Sequence, residues 1–257
     1  MKSYGLIGYP LSHSFSKKYF TDKFHKEQII NCFYELFPIE QLSQLHQLII
    51  NNPTLYGLNV TIPYKEAVIP FLDELEETAK EVNAVNCIKI VKHNNYPEDK
   101  PVLIGYNTDV FGFRQSIKPF IETQHERALI LGTGGASKAV HHVLKKIGID
   151  CFFVTRNKNL HENNNHYFNY EELNEPIINA FKLIVNTTPV GMFPFVDEYP
   201  LIPYEFLGSN HLLYDLVYNP LETAFLKKGK LQGATTINGL SMLHQQAEEA
   251  WCIWNKV

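Results

Sequence analysis

An α/β chain of two domains is predicted, and three observations predict it. Strand-like apolar runs alternate with helix-periodic segments along the whole length. A glycine-rich turn, Gly132-Thr133-Gly134-Gly135-Ala136, follows one such run in mid-chain and opens an apolar-periodic helix. Enough chain for a separate domain precedes that turn and carries its own polar residues at strand boundaries. At 257 residues the chain is ample for two modest domains with a core each.

The elements read in order as follows. Tyr4–Gly8 is a strand and Ser16–Glu27 a helix. Strands follow at Cys32–Phe37, Gly57–Thr61 and Ala84–Val91, with helical segments between them. The polar stretch His93–Lys100 has the composition of a hairpin loop leading into a strand at Val102–Gly105. Phe111–Ile121 is a connecting helix. Arg127–Leu131 is the strand before the glycine turn, followed by strands at Cys151–Thr155, Leu183–Asn186 and Leu213–Leu216. From Gly239 onward, Leu240, Leu243, Ala247, Trp251 and Trp254 keep helical spacing. The alternation predicts parallel sheets in both halves.

Composition narrows the function. Hydrophobic content of 45% with 19% charged residues is that of a globular protein, and a net charge of −4 gives no footprint for nucleic acid or an anionic membrane. No apolar run reaches the ~20 residues of a spanning helix, and no secretory leader is expected before Tyr4. The four cysteines are scattered without a CxxC pair, so reduced thiols in a cytoplasmic protein are expected, with neither disulfide nor metal.

The strand–glycine–helix order around Gly132, Thr133, Gly134, Gly135 and Ala136 is the context of a dinucleotide-binding loop, where main-chain amides at a helix start face a pyrophosphate. Ser137 stands where a third glycine is usual. A loop selecting NAD carries a carboxylate at the end of the next strand, to bond the ribose 2′-hydroxyl. Here that strand ends Thr155-Arg156-Asn157-Lys158, two cations and no acid. Arg156 and Lys158 suit the 2′-phosphate of NADP; the alternative is that they are solvated surface charges.

The first half places Ser14 and Ser16 at a helix entrance and Asn59, Thr61 and Lys65 around a proline turn. It adds Asn83 and Asn86, then Asn107-Thr108-Asp109, at strand boundaries. With these residues the chain resembles the shikimate dehydrogenase family. The match runs in family order through Ser14-Phe15-Ser16, Asn59-Val60-Thr61-Ile62-Pro63-Tyr64-Lys65, Asn83-Ala84-Val85-Asn86 and Asn107-Thr108-Asp109. It continues through Gly132–Ala136, Asn186-Thr187-Thr188-Pro189-Val190-Gly191-Met192, Asp215-Leu216-Val217-Tyr218 and Asn238-Gly239-Leu240-Ser241-Met242-Leu243.

The resemblance implies reversible NADPH-dependent reduction of 3-dehydroshikimate to shikimate, on the route to aromatic amino acids. It implies a substrate domain over 1–108, joined by a C-terminal helix over 238–257, and a Rossmann-type, doubly wound NADP domain over 109–237, with a cleft between them. Ser14 and Ser16 would bond the substrate carboxylate; Thr61, Asn86 and Tyr218 would read ring hydroxyls or the carboxylate; Gln246 would close the site, and Asn59 would orient its neighbours. Each has a plainer reading, with Ser14 and Ser16 as helix caps, Asn86 as a turn residue and Tyr218 as a core aromatic. Leu216 and Gly239 would join Gly132–Ala136, Thr155, Arg156 and Lys158 at the nucleotide. The implied partner is a small molecule, for a monomer or homodimer.

Catalysis would rest on Lys65 and Asp109. Hydride delivery to a carbonyl carbon leaves a developing alkoxide, which an ammonium stabilises, and Asp109 would hold that ammonium and bond a neighbouring hydroxyl. Whether Lys65 also gives the proton stays open at this level. Departures from the family pattern are Lys17 in place of a proline, Thr155-Arg156-Asn157 in place of Asn-Arg-Thr, and Leu160 where a second basic residue is usual, with Lys158 as its substitute. Two rival readings are a quinate/shikimate dehydrogenase using NAD or both cofactors, and a non-catalytic module on the same fold. The second predicts loss of Lys65 or Asp109, and both are present.

Overall fold

The computed structural model describes residues 1–11, 15–92, 100–157 and 166–256. The chain is α/β with two six-stranded sheets among the described residues. It divides into two compact units, Met1–Thr108 with Ala247–Val257, and Asp109–Gln246.

The first unit runs β1 (Lys2–Gly8), α1 (Phe15–Lys26), β2 (Cys32–Pro38), α2 (Leu45–Asn51), β3 (Leu55–Val60), β4 (Glu74–Leu75), α3 (Glu77–Val82), β5 (Cys87–Val91) and β6 (Val102–Tyr106). Its sheet has the order β2-β1-β3-β5-β6-β4. Strands β2, β1 and β3 are mutually parallel, but β5 is antiparallel to both β3 and β6, so the sheet is mixed and not parallel as the alternation predicted. For the β5–β6 pair this agrees with the hairpin expected between them, since a parallel return needs a crossover of about a dozen residues or more; the loop residues 93–99 lie outside the described residues. The strand expected from Ala84 begins at Cys87, because α3 ends on Asn83 in a left-handed conformation and Val85 N–H is taken by the Lys65 carbonyl at 2.7 Å.

Apolar residues fill both faces of this sheet. Leu58, Val60, Ile88 and Leu103 pack with α2 on one side. On the other, Tyr4, Phe20, Tyr34 and Cys87 meet Ala247, Ala250, Ile253 and Trp254 from the helix α8 (Leu240–Asn255). Trp254 lies stacked on Tyr4, with ring centroids 4.9 Å apart, and donates its indole N–H to the Ile88 carbonyl at 3.1 Å. Its ring occupies the space a Cβ at Gly57 would need.

The second unit runs α4 (Thr108–Ile117), β7 (Arg127–Leu131), α5 (Gly135–Lys146), β8 (Asp150–Thr155), β9 (Tyr167–Asn169), α6 (Glu175–Ala180), β10 (Leu183–Asn186), β11 (Leu212–Asp215), α7 (Ala224–Leu231) and β12 (Thr235–Ile237), and includes the start of α8. Its sheet is parallel throughout in the order β12-β11-β10-β7-β8-β9. Winding proceeds outward from β7 in one direction and from β10 in the other. The reversal lies between β7 and β10, where doubly wound folds bind nucleotides. Strand β7 shows why its sequence is almost unbroken apolar: Ala128 and Ile130 enter one core, while Leu129 and Leu131 enter the core on the opposite face.

Candidate active site

The polar residues of the first unit are joined into a chain by side-chain bonds. Tyr34, buried on β2 and stacked on Phe20 at 4.6 Å, donates its hydroxyl to Asn59 Oδ1 at 2.7 Å. Burial pushes that hydroxyl well up from its ordinary value, with a hydrogen bond from Ser16 acting in the opposite sense. Asn59 Nδ2 donates to the Asn86 carbonyl at 3.4 Å. Asn86 Oδ1 in turn accepts from Thr108 N–H at 2.6 Å and from Thr108 Oγ1 at 3.2 Å, capping the start of α4. Asn107 Nδ2 bonds the Ala84 carbonyl at 2.9 Å. Ser16, Asn59 and Thr61 are half-buried, whereas Asn86 and Asn107 are buried. Ser14 lies outside the described residues.

Lys65 closes a turn that its neighbours hold on two sides. Tyr64, buried, donates its hydroxyl to the Ile39 carbonyl at 2.7 Å, and the Lys65 carbonyl receives Val85 N–H. The Thr61 carbonyl accepts from Tyr64 N–H at 2.9 Å, which sets the turn. The Thr61 methyl fills the space beside Gly8, where a Cβ would come within 2.5 Å of it. Lys65 itself is half-buried. Asp109 opens the second unit in the first turn of α4 and is 2% exposed. A carboxylate there is stabilised by the positive end of the helix.

In the second unit the glycine turn leaves β7 with Gly132 at φ +105°, a conformation that costs a side-chain-bearing residue about 1–2 kcal/mol. A Cβ there would also sit 2.9 Å from Thr188 Cγ2. Gly134 is the N-cap of α5 and supplies no side-chain acceptor, and a Cβ on it would meet open space. The helix amides past Thr133 and Gly134 are therefore presented without a competing cap, which fits a diphosphate and its charge. Ser137 is buried and turns its hydroxyl back onto the Gly134 carbonyl at 2.6 Å, bracing the turn from inside. At the end of β8, Thr155 Oγ1 accepts Asn157 N–H at 3.0 Å. Arg156 is exposed beside it, and Lys158 and Leu160 lie outside the described residues.

The segment after β11 holds the remaining expected residues. Leu216 N–H bonds the Asn186 carbonyl at 2.9 Å, and Gly239 N–H bonds the Val217 carbonyl at 3.1 Å. Gly239 lies so close to the Leu216 main chain that no Cβ fits. Tyr218 is half-buried, and burial raises its hydroxyl above the ordinary value. Gln246 is half-buried on α8, where Gly112 lets α4 approach the backbone of Met242 and Gln246.

Two sets of residues were given no role in the sequence reading, although Asn186 and Asp215 open segments that carry the family resemblance. Tyr34 reads as one more aromatic of a strand, yet it fixes Asn59. Asn186, Thr223 and Asp215 are each fully buried and bonded to one another. Asn186 and Asp215 end their strands, and Thr223 caps the helix that follows. Among the described residues, no group of His, Cys, Asp and Glu is arranged to hold a metal ion, and no helix is long and apolar enough to cross a membrane.

Comparison with known proteins supplies independent findings. Residues 6–88 match the family model of the shikimate dehydrogenase substrate binding domain. The chain is 38% identical to the shikimate dehydrogenase (NADP(+)) of Carboxydothermus hydrogenoformans, with 98% of this chain and 91% of the relative covered. It superposes on the crystal structure of Aquifex aeolicus shikimate dehydrogenase with a TM-score of 0.83 at 35% identity, covering 99% of this chain and 92% of that one. The Thermus thermophilus enzyme, solved in complex with NADP(H) and shikimate, gives a TM-score of 0.81 at 28% identity, covering 100% and 94%.

Proposed function

The chain belongs to the shikimate dehydrogenase family, and we propose that its two units divide the work of that enzyme by residue as set out below. It is an NADP-dependent oxidoreductase acting on a CH–OH group, interconverting shikimate and 3-dehydroshikimate on the route to chorismate and the aromatic amino acids. NADPH supplies the hydride. In our reading most of the substrate contacts come from the first unit, Tyr218 and Gln246 belonging to the second. Ser14 and Ser16 donate to its carboxylate, while Thr61, Asn86 and Tyr218 read the ring hydroxyls, with Gln246 completing the contacts. Asn86 acts through its amide N–H groups, because its oxygen is committed to Thr108.

Lys65 and Asp109 carry the chemistry. As the carbonyl carbon receives hydride, its oxygen gains negative charge, and the Lys65 ammonium stabilises that charge and gives the oxygen its proton. Asp109 is the acceptor for a ring hydroxyl of the substrate. In the second unit, Gly132–Ala136 receive the diphosphate, Thr155, Arg156 and Lys158 the 2′-phosphate, and Leu216 and Gly239 the nicotinamide end. The protein works in the cytoplasm on this small-molecule pair, without nucleic acid.

The observation that carries this reading is the bonded series Tyr34–Asn59–Asn86–Thr108. A packing domain has no need for a bonded run of buried and half-buried amides at adjacent strand ends. The test is initial-rate oxidation of shikimate and of quinate, each with NADP and with NAD. Shikimate with NADP should give the highest kcat/KM by at least about tenfold, since a charged hydrogen bond to the 2′-phosphate contributes ~1.5–3 kcal/mol. Equal use of NAD would remove the role given to Arg156, and equal use of quinate would remove the assignment of the ring-hydroxyl contacts.

A further inference from the structure

Asp215 is a buried charged group that the reaction does not use. Its side chain is wholly enclosed at the end of β11. Three neutral donors converge on it: Asn186 Nδ2 and Val217 N–H on Oδ1, each at 3.0 Å, and Thr223 Oγ1 on Oδ2 at 2.6 Å. Burial pushes its carboxyl up to about 6, so the ionised form at neutral pH is held by these donors. A buried carboxylate without a cation is costly, and an apolar residue of similar volume would serve packing alone with less loss.

What the three donors have in common is their place in the chain. Asn186 begins the loop Asn186–Val190, whose geometry it sets by accepting Thr188 N–H at 3.1 Å and Thr188 Oγ1 at 2.6 Å. Thr187 Oγ1 bonds the Leu131 carbonyl at 2.6 Å, immediately before the glycine turn, and both threonines wall the space beside Gly132. Val217 lies in the segment of Leu216 and Tyr218 and receives Gly239 N–H. Thr223 caps α7 by accepting Leu226 N–H while it donates to Asp215. One carboxylate thus links the loop that backs the glycine turn to the segment that carries Leu216.

We propose that Asp215 is a positioning residue for the nucleotide: it fixes the Leu216–Tyr218 segment to the Asn186–Val190 loop and, through Thr187 and Thr188, to the turn at Gly132. The proposal rests on the reading of Gly132–Ala136 and Leu216 as nucleotide contacts.

The experiment measures the Kd of NADPH by fluorescence titration of the full chain, with thermal unfolding beside it, for five variants. Asp215→Ala should raise the Kd at least about tenfold, because three bonds to a charged acceptor are lost together. Asp215→Asn keeps both bonds at Oδ1 and reverses the one to Thr223, so it should stay within about threefold of wild type. Thr223→Val removes one donor and should raise the Kd by about three- to tenfold. Ser116→Ala breaks the 2.6 Å bond to Tyr214 in the core of the same unit and should lower stability without moving the Kd. Arg156→Ala reports on the underlying reading, since it must weaken NADPH if the second unit binds the 2′-phosphate.

If Arg156→Ala weakens binding while Thr223→Val and every folded Asp215 variant bind as wild type, the positioning role is wrong and the nucleotide reading stands. If none of the variants moves the Kd, both fall. A Ser116→Ala effect as large as that of Thr223→Val would reduce Asp215 to a general stabiliser of the unit. Should Asp215→Ala fail to fold, Thr223→Val decides the matter, since wild-type binding by it overturns the positioning role.

Discussion

In Met1–Thr108 the groups proposed for the substrate are side chains held by other side chains, as Tyr34 holds Asn59 and Asn86 holds Thr108. In Asp109–Gln246 the groups proposed for the nucleotide are largely main chain, presented by glycines at a turn, with one exposed guanidinium beside it. The difference follows from the sheets. A mixed sheet with a hairpin brings strand ends together where polar side chains meet, while a parallel sheet buried on both faces leaves only its strand-to-helix turns for a ligand. The first unit should therefore fail through side-chain deletion and the second through added side chains or lost charge.

The largest effect expected is on rate. Lys65→Ala should lower kcat by about 10²- to 10⁴-fold with little change in shikimate affinity, the usual contribution of a proton-transferring and charge-stabilising group. The neutral ground-state carbonyl gains little from an ammonium and the alkoxide-like transition state a great deal. Steady-state oxidation beside equilibrium substrate binding checks it. A variant that binds poorly and turns over normally would make Lys65 a substrate anchor.

Next come the two affinity effects, which should fall on opposite ligands. Ser16→Ala removes a donor to a carboxylate and should reduce kcat/KM for shikimate by about 10- to 150-fold, leaving the Kd of NADPH unchanged. Arg156→Ala should raise the KM for NADPH by about 10- to 100-fold and leave NADH use nearly as it was. Measured as a pair, they ask whether the ligands really divide between the units. An effect of either variant on the other ligand's binding as large as on its own would break the division.

The glycine turn sharpens the comparison from the other side, since there the change is a methyl gained. Gly132→Ala forces a Cβ into a positive-φ position 2.9 Å from Thr188 Cγ2. Strain of about 1–2 kcal/mol predicts roughly a 5- to 30-fold rise in the Kd of NADPH, with shikimate binding unaltered. Gly134→Ala, where a Cβ meets no protein atom, should cost less stability than Gly132→Ala, so a loss of NADPH binding there reports a clash with the ligand and not with the protein. Urea unfolding of the two variants checks it, and a Gly134→Ala protein less stable than Gly132→Ala would overturn it.

How much of this was legible beforehand varies with the unit. The second sheet was readable because its strands are short apolar runs set off by glycines, and Leu183–Asn186 is bounded as the sequence suggested. The edge strands β4, β9 and β12 were not, since two or three residues carry no period. The antiparallel pairing of β5 with β6 follows from the hairpin composition of 93–100, whereas its antiparallel course against β3 was missed because alternation specifies element types and not their directions. At the site, polar residues at strand ends were legible as candidates, but what fixes them was not. Tyr34 and Asp215 act through partners distant in sequence, and only the fold brings Asn59 to one and Asn186 to the other.

The smallest effect expected separates the units by pH, and it falls on the second. His211 is buried, accepts Gly208 N–H at Nδ1 at 3.0 Å and meets the Ile178 carbonyl through Nε2 at 3.0 Å. Burial holds its ring below the ordinary histidine value, as it does for His125, which lies near enough for the two to oppose each other's protonation. A base depressed in the folded state contributes stability that is complete above its unfolded value, about 6.5, and is lost as pH falls through the folded one. Asp215 has the opposite sign. Its folded value, about 6, is raised, so lowering the pH through that region adds stability and offsets part of the histidine loss. His211→Gln can keep an N–H donor for Ile178 and cannot titrate. It should cost about 1 kcal/mol at pH 7.5 for the imperfect replacement, yet flatten the fall in unfolding free energy between pH 7 and pH 5. Asp215→Asn, with the offset removed, should steepen it. Urea unfolding across that range, read from signals of each unit, checks both, and a His211→Gln protein whose profile runs parallel to wild type would move the acid sensitivity away from this buried ring.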